Sequence, residues 1–348
     1  MISSKLIVDK NKDILVVHEE SNFTSKDNEN NNIAQRQQQQ QVVDDTTTSS
    51  SIRISPKNIK QQKEHIMIVL VMSRRSSVER RDTIRETWGL GHDNIYFVIG
   101  NGCNIPIHLR KDDNTCVHYN STSKVTTVEI ISNISATIEQ EKSEQLKWDE
   151  NVRIMDKALE DEQMKHDDII RIELVDVYHH LTQKLKLMFD WAITNTNAQW
   201  IVKADDDSFV RVASLQRYLT LTYNAYKPTV VGNILENKRV KKNGKWAEWI
   251  YEGKLYPKYP EGSSGYCVSR PIASYVVKNQ YNLLNYTCED SSLGIWLNAS
   301  PMKDDIDWIS LPAQFKKNGA CNKKEALIMG HNIPMWKIRE CYNMMDES

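Results

Sequence analysis

The sequence lacks long apolar segments. Hydrophobic residues make up 40% of the 348 residues, and the longest uninterrupted apolar run is Ile66–Met72. A helix that crosses a bilayer needs about 20 predominantly apolar residues, so the sequence predicts no transmembrane helix. The first residues, Met1–Glu20, also lack the apolar stretch of a secretory signal peptide.

Several common ligand-binding signatures are absent as well. No G-x-x-x-x-G-K-[ST] segment occurs, and Gly100-Asn101-Gly102 has no glycine three residues on. These absences argue against a P-loop and against the usual dinucleotide fingerprint, so a bound nucleotide would need a metal and side chains to neutralise its phosphates. No two cysteines form C-x-x-C, which argues against a zinc ribbon or a thioredoxin-type site. A formal net charge of -1 gives no field that would favour a nucleic acid polymer.

Cysteines and glycosylation sequons together favour a lumenal or extracellular setting. Six cysteines can pair in many ways, and we predict the pairs Cys103–Cys116, Cys321–Cys341 and Cys267–Cys288. Five N-x-[ST] sequons begin at Asn22, Asn120, Asn133, Asn285 and Asn298. Each sequon alone is weak support, because such triplets arise often by chance.

The polar residues are concentrated at the N-terminus. Residues 1–60 contain the Gln37–Gln41 tract and the polar run Asp44–Ser51, with few large apolar residues. Such a composition cannot bury a core, and we interpret 1–60 as a disordered stem or linker. Residues 61–348 are then the single folded domain.

Apolar periodicity in the folded domain predicts an α/β fold. Ile66–Met72 is apolar throughout, which is typical of a strand covered on both faces. A helix from Ser76 or Ser77 to Trp88 and a strand at Ile95–Ile99 follow, so the domain begins with a strand–helix–strand unit. Further elements are predicted as a charged helix over 136–166, strands Ile169–Leu174, Trp200–Ala204 and Thr229–Ile234, and an amphipathic helix over Val177–Ala192.

Three adjacent carboxylates, Asp205-Asp206-Asp207, directly follow one of these predicted strands. Ligands of open α/β sheets bind at the carboxyl edge, where such residues emerge. Adjacent carboxylates repel one another unless a cation or solvent relieves them, and hard oxygen ligands suit Mg²⁺ or Mn²⁺. The alternative is a solvated acidic turn without a ligand.

Two further groups of charged residues lie on predicted helices. Arg81 and Arg85 are four residues apart and share one helix face, where guanidinium groups match phosphate geometry. Glu289 and Asp290 precede an apolar segment, so one carboxylate is a candidate general base. The alternatives are a solvated basic face for the arginines and ordinary capping of a helix N-terminus for the acids.

Five ordered motifs carry a resemblance to a known family. They are Arg80–Gly89 (R-R-D-T-I-R-E-T-W-G), Asp176–Lys184 (D-V-Y-H-H-L-T-Q-K), Lys203–Phe209 (K-A-D-D-D-S-F), Tyr256–Ser269 (Y-P-K-Y-P-E-G-S-S-G-Y-C-V-S) and Glu289–Gly294 (E-D-S-S-L-G). Over residues 64–343 the chain resembles the inverting β1,3-glycosyltransferases that include the β1,3-galactosyltransferases. Departures at His180, Pro260–Ser264 and Cys267 affect the part of the pattern associated with the acceptor.

The resemblance implies a GT-A fold, which is a Rossmann-like mixed sheet flanked by helices, and transfer from a UDP-sugar to a glycan or glycoprotein acceptor. It implies Mn²⁺ as the cofactor, with Asp207 and His331 as metal ligands and Asp290 as the catalytic base. Residues implied to bind the nucleotide-sugar are Arg81, Arg85, Lys184, Asp205 and Asp206. Family members carry a membrane anchor and act in the Golgi or endoplasmic reticulum lumen, so the anchor is expected to be missing from this chain or truncated.

The donor is predicted as UDP-galactose, with UDP-GalNAc or UDP-GlcNAc as alternatives that would make the protein a β1,3-N-acetylhexosaminyltransferase. Two other classes stay open at this point. A metal-dependent glycoside hydrolase or phosphodiesterase would use carboxylates too, although a hydrolase needs an acid and a base flanking the scissile bond. A non-catalytic glycan-binding relative would keep the fold without the chemistry.

Overall fold

The computed structural model of the chain describes residues 3–8, 14–19, 65–119, 131–317 and 325–346. Residues 1–50 and 51–348 form two separate compact units. In the first unit, strands β1 (Ser3–Val8) and β2 (Ile14–Glu19) pair antiparallel. The other residues of the predicted stem or linker lie outside the described residues.

A parallel sheet forms the centre of the second unit. Its strands are β3 (Met67–Met72), β4 (Ile95–Asn101), β5 (Ile169–Val175) and β6 (Trp200–Asp205). They lie in the order β6-β3-β4-β5, and all neighbours are parallel. Each of these strands is predicted from its apolar run to within two residues.

Three more strands extend the sheet beyond β6, namely β8 (Thr229–Gly232), β11 (Tyr266–Ser269) and β12 (Asp307–Ser310). The complete order is β12-β8-β11-β6-β3-β4-β5. Strand β11 runs antiparallel to both β6 and β8, whereas β12 is parallel to β8. The mixed α/β sheet that the resemblance implies is therefore confirmed.

Helices flank the sheet and explain why β3 is apolar at every position. Alternate side chains of a strand point to opposite faces, so Met67, Val69 and Val71 enter one hydrophobic cluster, and Ile68, Leu70 and Met72 enter the other. The helices are α1 (Val78–Glu86), α2 (Ile131–His166), α3 (Leu181–Asn195), α4 (Val212–Thr222), α5 (Arg270–Lys278), α6 (Glu289–Asn298) and α7 (Met335–Asp346). Among the described residues, no helix combines the length and apolar composition needed to cross a bilayer.

Short strands bring a C-terminal loop beside the central sheet. β7 (Phe209–Val210), β13 (Phe315–Lys317) and β14 (Ile328–Gly330) form a small sheet in the order β13-β14-β7. Because β7 follows the three aspartates closely and β14 pairs with it, the residues after β14 lie next to those aspartates. Strands β9 (Ile234–Leu235) and β10 (Tyr259–Pro260) pair separately.

The cysteine predictions have three different outcomes. Cys103–Cys116 is a disulfide, as predicted. Cys341 is disulfide-bonded, but its predicted partner Cys321 lies outside the described residues. The predicted pair Cys267–Cys288 is wrong, because both residues are free thiols. Cys267 is fully buried in the core on β11. Cys288 directly precedes α6, and its side chain is hydrogen-bonded with that of Tyr178.

Candidate active site

The three aspartates lie at the carboxyl end of β6, as their position in the sequence predicts. Asp205 pairs in register with Met72, the last residue of β3. The Asp206 amide donates to the Met72 carbonyl at 3.2 Å, and the Ser73 hydroxyl donates to Asp206 Oδ2 at 2.8 Å. Trp88, at the end of the first motif, donates from its indole to the Ser208 carbonyl at 3.0 Å. The acidic turn is thus held by β3 and by the residues that follow α1.

Asp207 is held from the other side by the loop after β14. Its Oδ2 accepts the Asn332 amide at 2.8 Å, and its carbonyl accepts the Ile333 amide at 3.2 Å. Its Oδ1 is buried and has no hydrogen-bond partner among the described residues. His331 and Asn332 adopt the left-handed conformation, with φ of 73° and 57°, which is uncommon for residues other than glycine. Their side chains meet at 3.0 Å, between Asn332 Nδ2 and His331 Nε2.

This arrangement fits a cation whose coordination is shared with a phosphate ligand. An unpartnered buried carboxylate oxygen is costly unless something binds it, and Asp207 Oδ1 is such an atom. Across the described part of the chain, no group of three or more His, Cys, Asp or Glu side chains is placed to hold a metal by itself. Mg²⁺-like ions are commonly bound by one or two protein carboxylates, with substrate phosphates and waters completing the shell.

Lys203 joins this acidic turn to the start of α6. Its Nζ lies 2.8 Å from Asp205 Oδ1 and 3.0 Å from Glu289 Oε1, and it donates to the Gly262 carbonyl at 3.1 Å. Burial opposes a charge on Lys203, but the two carboxylates outweigh burial and raise its pKa above the ordinary value. Burial and the charges of Glu289 and Asp207 raise the pKa of Asp205 to about 6, although Lys203 opposes that shift.

Asp290, the predicted base, is oriented by backbone amides. The Gly262 amide donates to its Oδ2 at 2.9 Å, and the Ser291 amide donates to its Oδ1 at 2.6 Å. Burial, followed by the negative charge of Glu289, raises the pKa of Asp290 to about 7, while the two amides and Lys203 oppose the shift. A carboxylate with a pKa near the working pH suits general base catalysis.

Glycine is required where this loop meets the two acids. A Cβ on Gly262 would lie 2.5 Å from Glu289 Oε1 and 3.0 Å from Asp290 Oδ2, closer than side chains pack. Gly265 has a φ of 69°, and a Cβ there would lie 3.0 Å from the Lys203 carbonyl. The fourth motif therefore supplies a loop that can approach both Lys203 and Asp290.

The structure gives Arg81 a different environment from the predicted nucleotide contact. Arg81 is fully buried, and its guanidinium donates to both oxygens of Glu162, at 2.7 and 2.6 Å. A third donor reaches the Ser73 hydroxyl at 3.1 Å. With its donors directed into the protein, Arg81 positions the β3 end rather than facing a ligand.

Arg85 and Lys184 are also paired within the protein. Arg85 binds both oxygens of Asp168 at 2.8 Å and lines a cavity of about 500 Å³ whose wall includes His65, before the amino end of β3. The acidic turn Asp205–Asp207 does not line that cavity. Lys184 is buried and donates to both oxygens of Asp176, at 2.9 and 2.8 Å, and to the Ser73 carbonyl at 2.9 Å. Lys184 thus supports the residue that holds Asp206.

Arg80, which the sequence analysis does not select, is the arginine that approaches the aspartates. Its Nε lies 4.0 Å from Asp206 Oδ1, and a third of its side chain is exposed. Helical spacing does not distinguish the two arginines, because Arg81 lies three and seven residues before Ile84 and Trp88, and Arg80 lies four and eight residues before them. Only the structure shows that Arg81 is buried and that Arg80 stays partly exposed.

Comparison with known proteins covers the middle of the chain. Residues 147–306 match the family model described as Galactosyltransferase. The UDP-GalNAc:beta-1,3-N-acetylgalactosaminyltransferase 2 of Danio rerio is 32% identical over 156 residues, which are 44% of this chain and 32% of that protein. The probable beta-1,3-galactosyltransferase 1 of Arabidopsis thaliana is 36% identical over 151 residues, 41% of this chain and 38% of that protein. The chain thus spans about a third of the length of these curated relatives.

Solved structures add little to this result. A glycosyltransferase involved in the glycosylation of the major capsid of PBCV-1 aligns over 81% of this chain and 100% of its own, at 11% identity and a TM-score of 0.33, which is too weak to support an argument. The family match contains the motifs at Asp176–Lys184, Lys203–Phe209, Tyr256–Ser269 and Glu289–Gly294 but not the first motif or His331. Residues 147–306 of the chain are thus similar to the galactosyltransferase family.

Proposed function

We propose that this protein is an inverting hexosyltransferase that transfers a sugar from a UDP-sugar to an acceptor hydroxyl and forms a β1,3-glycosidic bond. The observation that carries the proposal is the Lys203 bridge. It fixes the acidic turn of Asp205 and the helix start of Glu289 at 2.8 and 3.0 Å from one buried ammonium group. Asp207 lies two residues after Asp205, and Asp290 directly follows Glu289, so the bridge brings the proposed metal ligand and the proposed base to the same end of the sheet.

The Asp207 side is the donor side. Asp207 would hold Mn²⁺ through its unpartnered Oδ1, and His331, on the loop that contacts Asp207, is the second proposed ligand. Mn²⁺ supplies charge stabilisation for the departing diphosphate. Asp205 and Asp206 are proposed to place the ribose and metal-bound waters, and Arg80 adds a guanidinium near Asp206.

Asp290 is the proton acceptor in the proposed reaction. An acceptor hydroxyl gives its proton to an Asp290 oxygen as the hydroxyl oxygen bonds to the anomeric carbon. The bond from that carbon to the UDP oxygen breaks at the same time, and UDP leaves with the electron pair. Attack opposite the leaving group inverts the anomeric configuration. The amides of Gly262 and Ser291 keep the Asp290 carboxylate oriented during this step.

UDP-galactose is the proposed donor, and UDP-GalNAc or UDP-GlcNAc are the alternatives. The relatives include both β1,3-galactosyltransferases and β1,3-N-acetylgalactosaminyltransferases by their names. A glycan or glycoprotein is the proposed acceptor.

A donor panel tests the proposal directly. The full chain is incubated with each UDP-sugar and Mn²⁺, with and without simple sugar acceptors, and UDP release is measured. We expect release from one hexose donor that increases with acceptor and disappears with chelator. Hydrolysis of a simple glycoside without nucleotide would instead support a glycoside hydrolase. A chain that binds glycans but neither binds nor cleaves any UDP-sugar with Mn²⁺ would be a non-catalytic relative.

We place the protein in the lumen of the Golgi or endoplasmic reticulum. The Cys103–Cys116 disulfide and the disulfide-bonded Cys341 support an oxidising compartment. The sequon residue Asn285 is exposed, as glycosylation requires. Mass mapping of protein from a secretory host is expected to find both disulfides, and free thiols at all six cysteines would contradict this placement.

A further inference from the structure

An exposed loop of unusual composition lies beside the proposed base. Residues 236–258 contain seven cationic and three acidic side chains, although the whole chain has a net charge of -1. All seven cationic residues are exposed, and one of the three acids, Glu248, is buried. Trp246 and Trp249 are 49% and 70% exposed. The loop therefore combines positive charge with two indole rings that are exposed instead of packed in a hydrophobic core.

Glu248 ties this loop to the start of α6. Its Oε1 accepts the amides of Ile250 and Tyr251, at 2.7 and 3.0 Å, and its Oε2 accepts the Thr287 amide at 2.8 Å. The Thr287 hydroxyl donates back to the Ala247 carbonyl at 2.8 Å. Thr287 is three residues before Asp290, so the Ala247–Glu248 segment, which Trp246 and Trp249 flank, is attached close to the base in the chain.

Cation–π contacts and side-chain hydrogen bonds also order the part of the loop around Lys245 and Trp246. Lys245 Nζ lies 4.1 Å from the ring centroid of Tyr178, and Lys241 Nζ lies 4.3 Å from that of Trp246. The Tyr178 side chain hydrogen-bonds with those of Trp246 and Cys288. Both lysines stay exposed, so their ammonium groups can still bind an anion.

We infer that residues 236–258 recognise the acceptor and select a glycan that carries an anionic group. The inference rests on the proposed function. Trp249, the more exposed indole, stacks on the apolar face of a sugar ring, and Lys241 and Lys245 attract the negative charge. A solvated charged face would account for the lysines alone. It does not account for two exposed tryptophans that flank a segment hydrogen-bonded to Thr287, three residues before Asp290.

Matched acceptors separate charge from stacking. The probes are a neutral aryl β-galactoside, the same galactoside with a 6-phosphate, and the aryl β-glucuronide, which distinguish phosphate from carboxylate as the source of charge. At low ionic strength we expect kcat/KM for at least one anionic probe to exceed that for the neutral probe about tenfold. The preference should shrink in about 0.5 M salt, because salt screens exposed charges. Equal or better use of the neutral probe would overturn the inference.

Two variants test the residues. Trp249→Ala should raise the acceptor KM about tenfold for neutral and anionic probes while the donor KM stays unchanged. Lys241→Gln/Lys245→Gln should remove only the preference for the anionic probes. The controls are Tyr226→Ala and Lys227→Gln/Lys278→Gln, which alter exposed residues away from this loop. An unchanged acceptor KM in Trp249→Ala, or an unchanged preference in the lysine variant, would contradict the assignment.

A binding measurement separates this inference from the proposed function. Calorimetry of the same saccharides with the full chain, UDP and Mn²⁺ should show binding of an anionic probe that Trp249→Ala weakens. If the wild-type chain turns over no donor, the proposed transferase activity fails, and this binding result still decides the inference. If the donor is cleaved but no anionic probe binds or reacts, the inference is wrong and the proposed function stands.

Discussion

The acids at the end of β6 and those at the start of α6 share one cation, Lys203, but differ in what holds the neighbouring carboxylate. Asp207 is bound at one oxygen by the Asn332 amide, and its other oxygen has no partner among the described residues. Asp290 receives an amide at each oxygen. Asp207 therefore keeps one oxygen available for a cation, whereas both oxygens of Asp290 are held by backbone amides.

The electrostatic surroundings of Asp290 support its proposed role as the base. Burial and the adjacent Glu289 raise the pKa of Asp290 to about 7, which suits a group that must gain and lose a proton. The two aspartates are therefore proposed to take different roles on the basis of the contacts that surround each carboxylate.

Asp207→Ala is expected to have the largest effect. The change removes the proposed metal ligand, so both donor binding and stabilisation of the leaving diphosphate should be lost. Transfer should fall by about 10⁴-fold or more, and calorimetry should show no Mn²⁺-dependent UDP binding. Circular dichroism should show a retained fold. Unchanged UDP and Mn²⁺ affinity would show that the metal binds elsewhere.

Asp290→Asn should reduce transfer by about 10²–10⁴-fold, because asparagine cannot accept the acceptor proton. Donor affinity should survive, since the donor contacts lie on the Asp207 side. The matched comparison is Glu289→Gln. The Glu289 carboxylate binds Lys203, so its loss should reduce transfer less than the loss of the Asp290 carboxylate. If Glu289→Gln is inactive while Asp290→Asn turns over normally, the two roles are reversed.

Lys203→Met should break the bridge between the two regions. It leaves Asp205 and Glu289 without their shared cation, and removing one partner of a buried ion pair costs about 3–5 kcal/mol. We expect urea unfolding near pH 8 to show that loss, and a smaller loss in acid, where the carboxyls are protonated. Lys227→Met, which alters an exposed lysine, is the control. Equal stability of the two variants would mean that the bridge is not structural.

The pH profile should give the smallest and most specific effect. Transfer requires ionised Asp290, so kcat should rise with pH through about 7, the raised pKa of that group. The same raised pKa acts oppositely on stability: its contribution is present at low pH and lost as the pH rises through about 7, because the folded state keeps the proton longer than the unfolded chain.

Glu289→Gln sharpens that profile. The charge of Glu289 helps to raise the pKa of Asp290, so its removal should move the midpoint of the kcat profile to lower pH. Relative to the rate at pH 8, the rate at pH 6 should then rise a few-fold. Thermal unfolding of the variant checks that the fold is intact. A midpoint that does not move would indicate that a group other than Asp290 titrates.

The site was only partly predictable from the sequence. The position of Asp205–Asp207 follows from the strand before them, and the position of Asp290 follows from the helix whose first turn contains it. The partners of Arg81, Arg85 and Lys184 did not follow, because Glu162, Asp168 and Ser73 approach from other elements. A charged residue on a helix is expected in solvent until a buried counter-charge is known. The incorrect pair Cys267–Cys288 has the same origin, since pairing depends on which side of the sheet each thiol faces.

The elements of the parallel half of the sheet and the two acidic groups could be recognised before folding is considered, because apolar runs and their spacing are local properties of the chain. How those groups come together depends on contacts between elements that are distant in the sequence. The antiparallel strand β11 and the loop at Gly262 place Glu289 against Lys203, and the pairing of β14 with β7 places the Asn332 amide on Asp207. The Glu289–Lys203 and Asn332–Asp207 contacts join residues more than 80 positions apart. Their formation depends on the packing of the whole sheet rather than on any local preference.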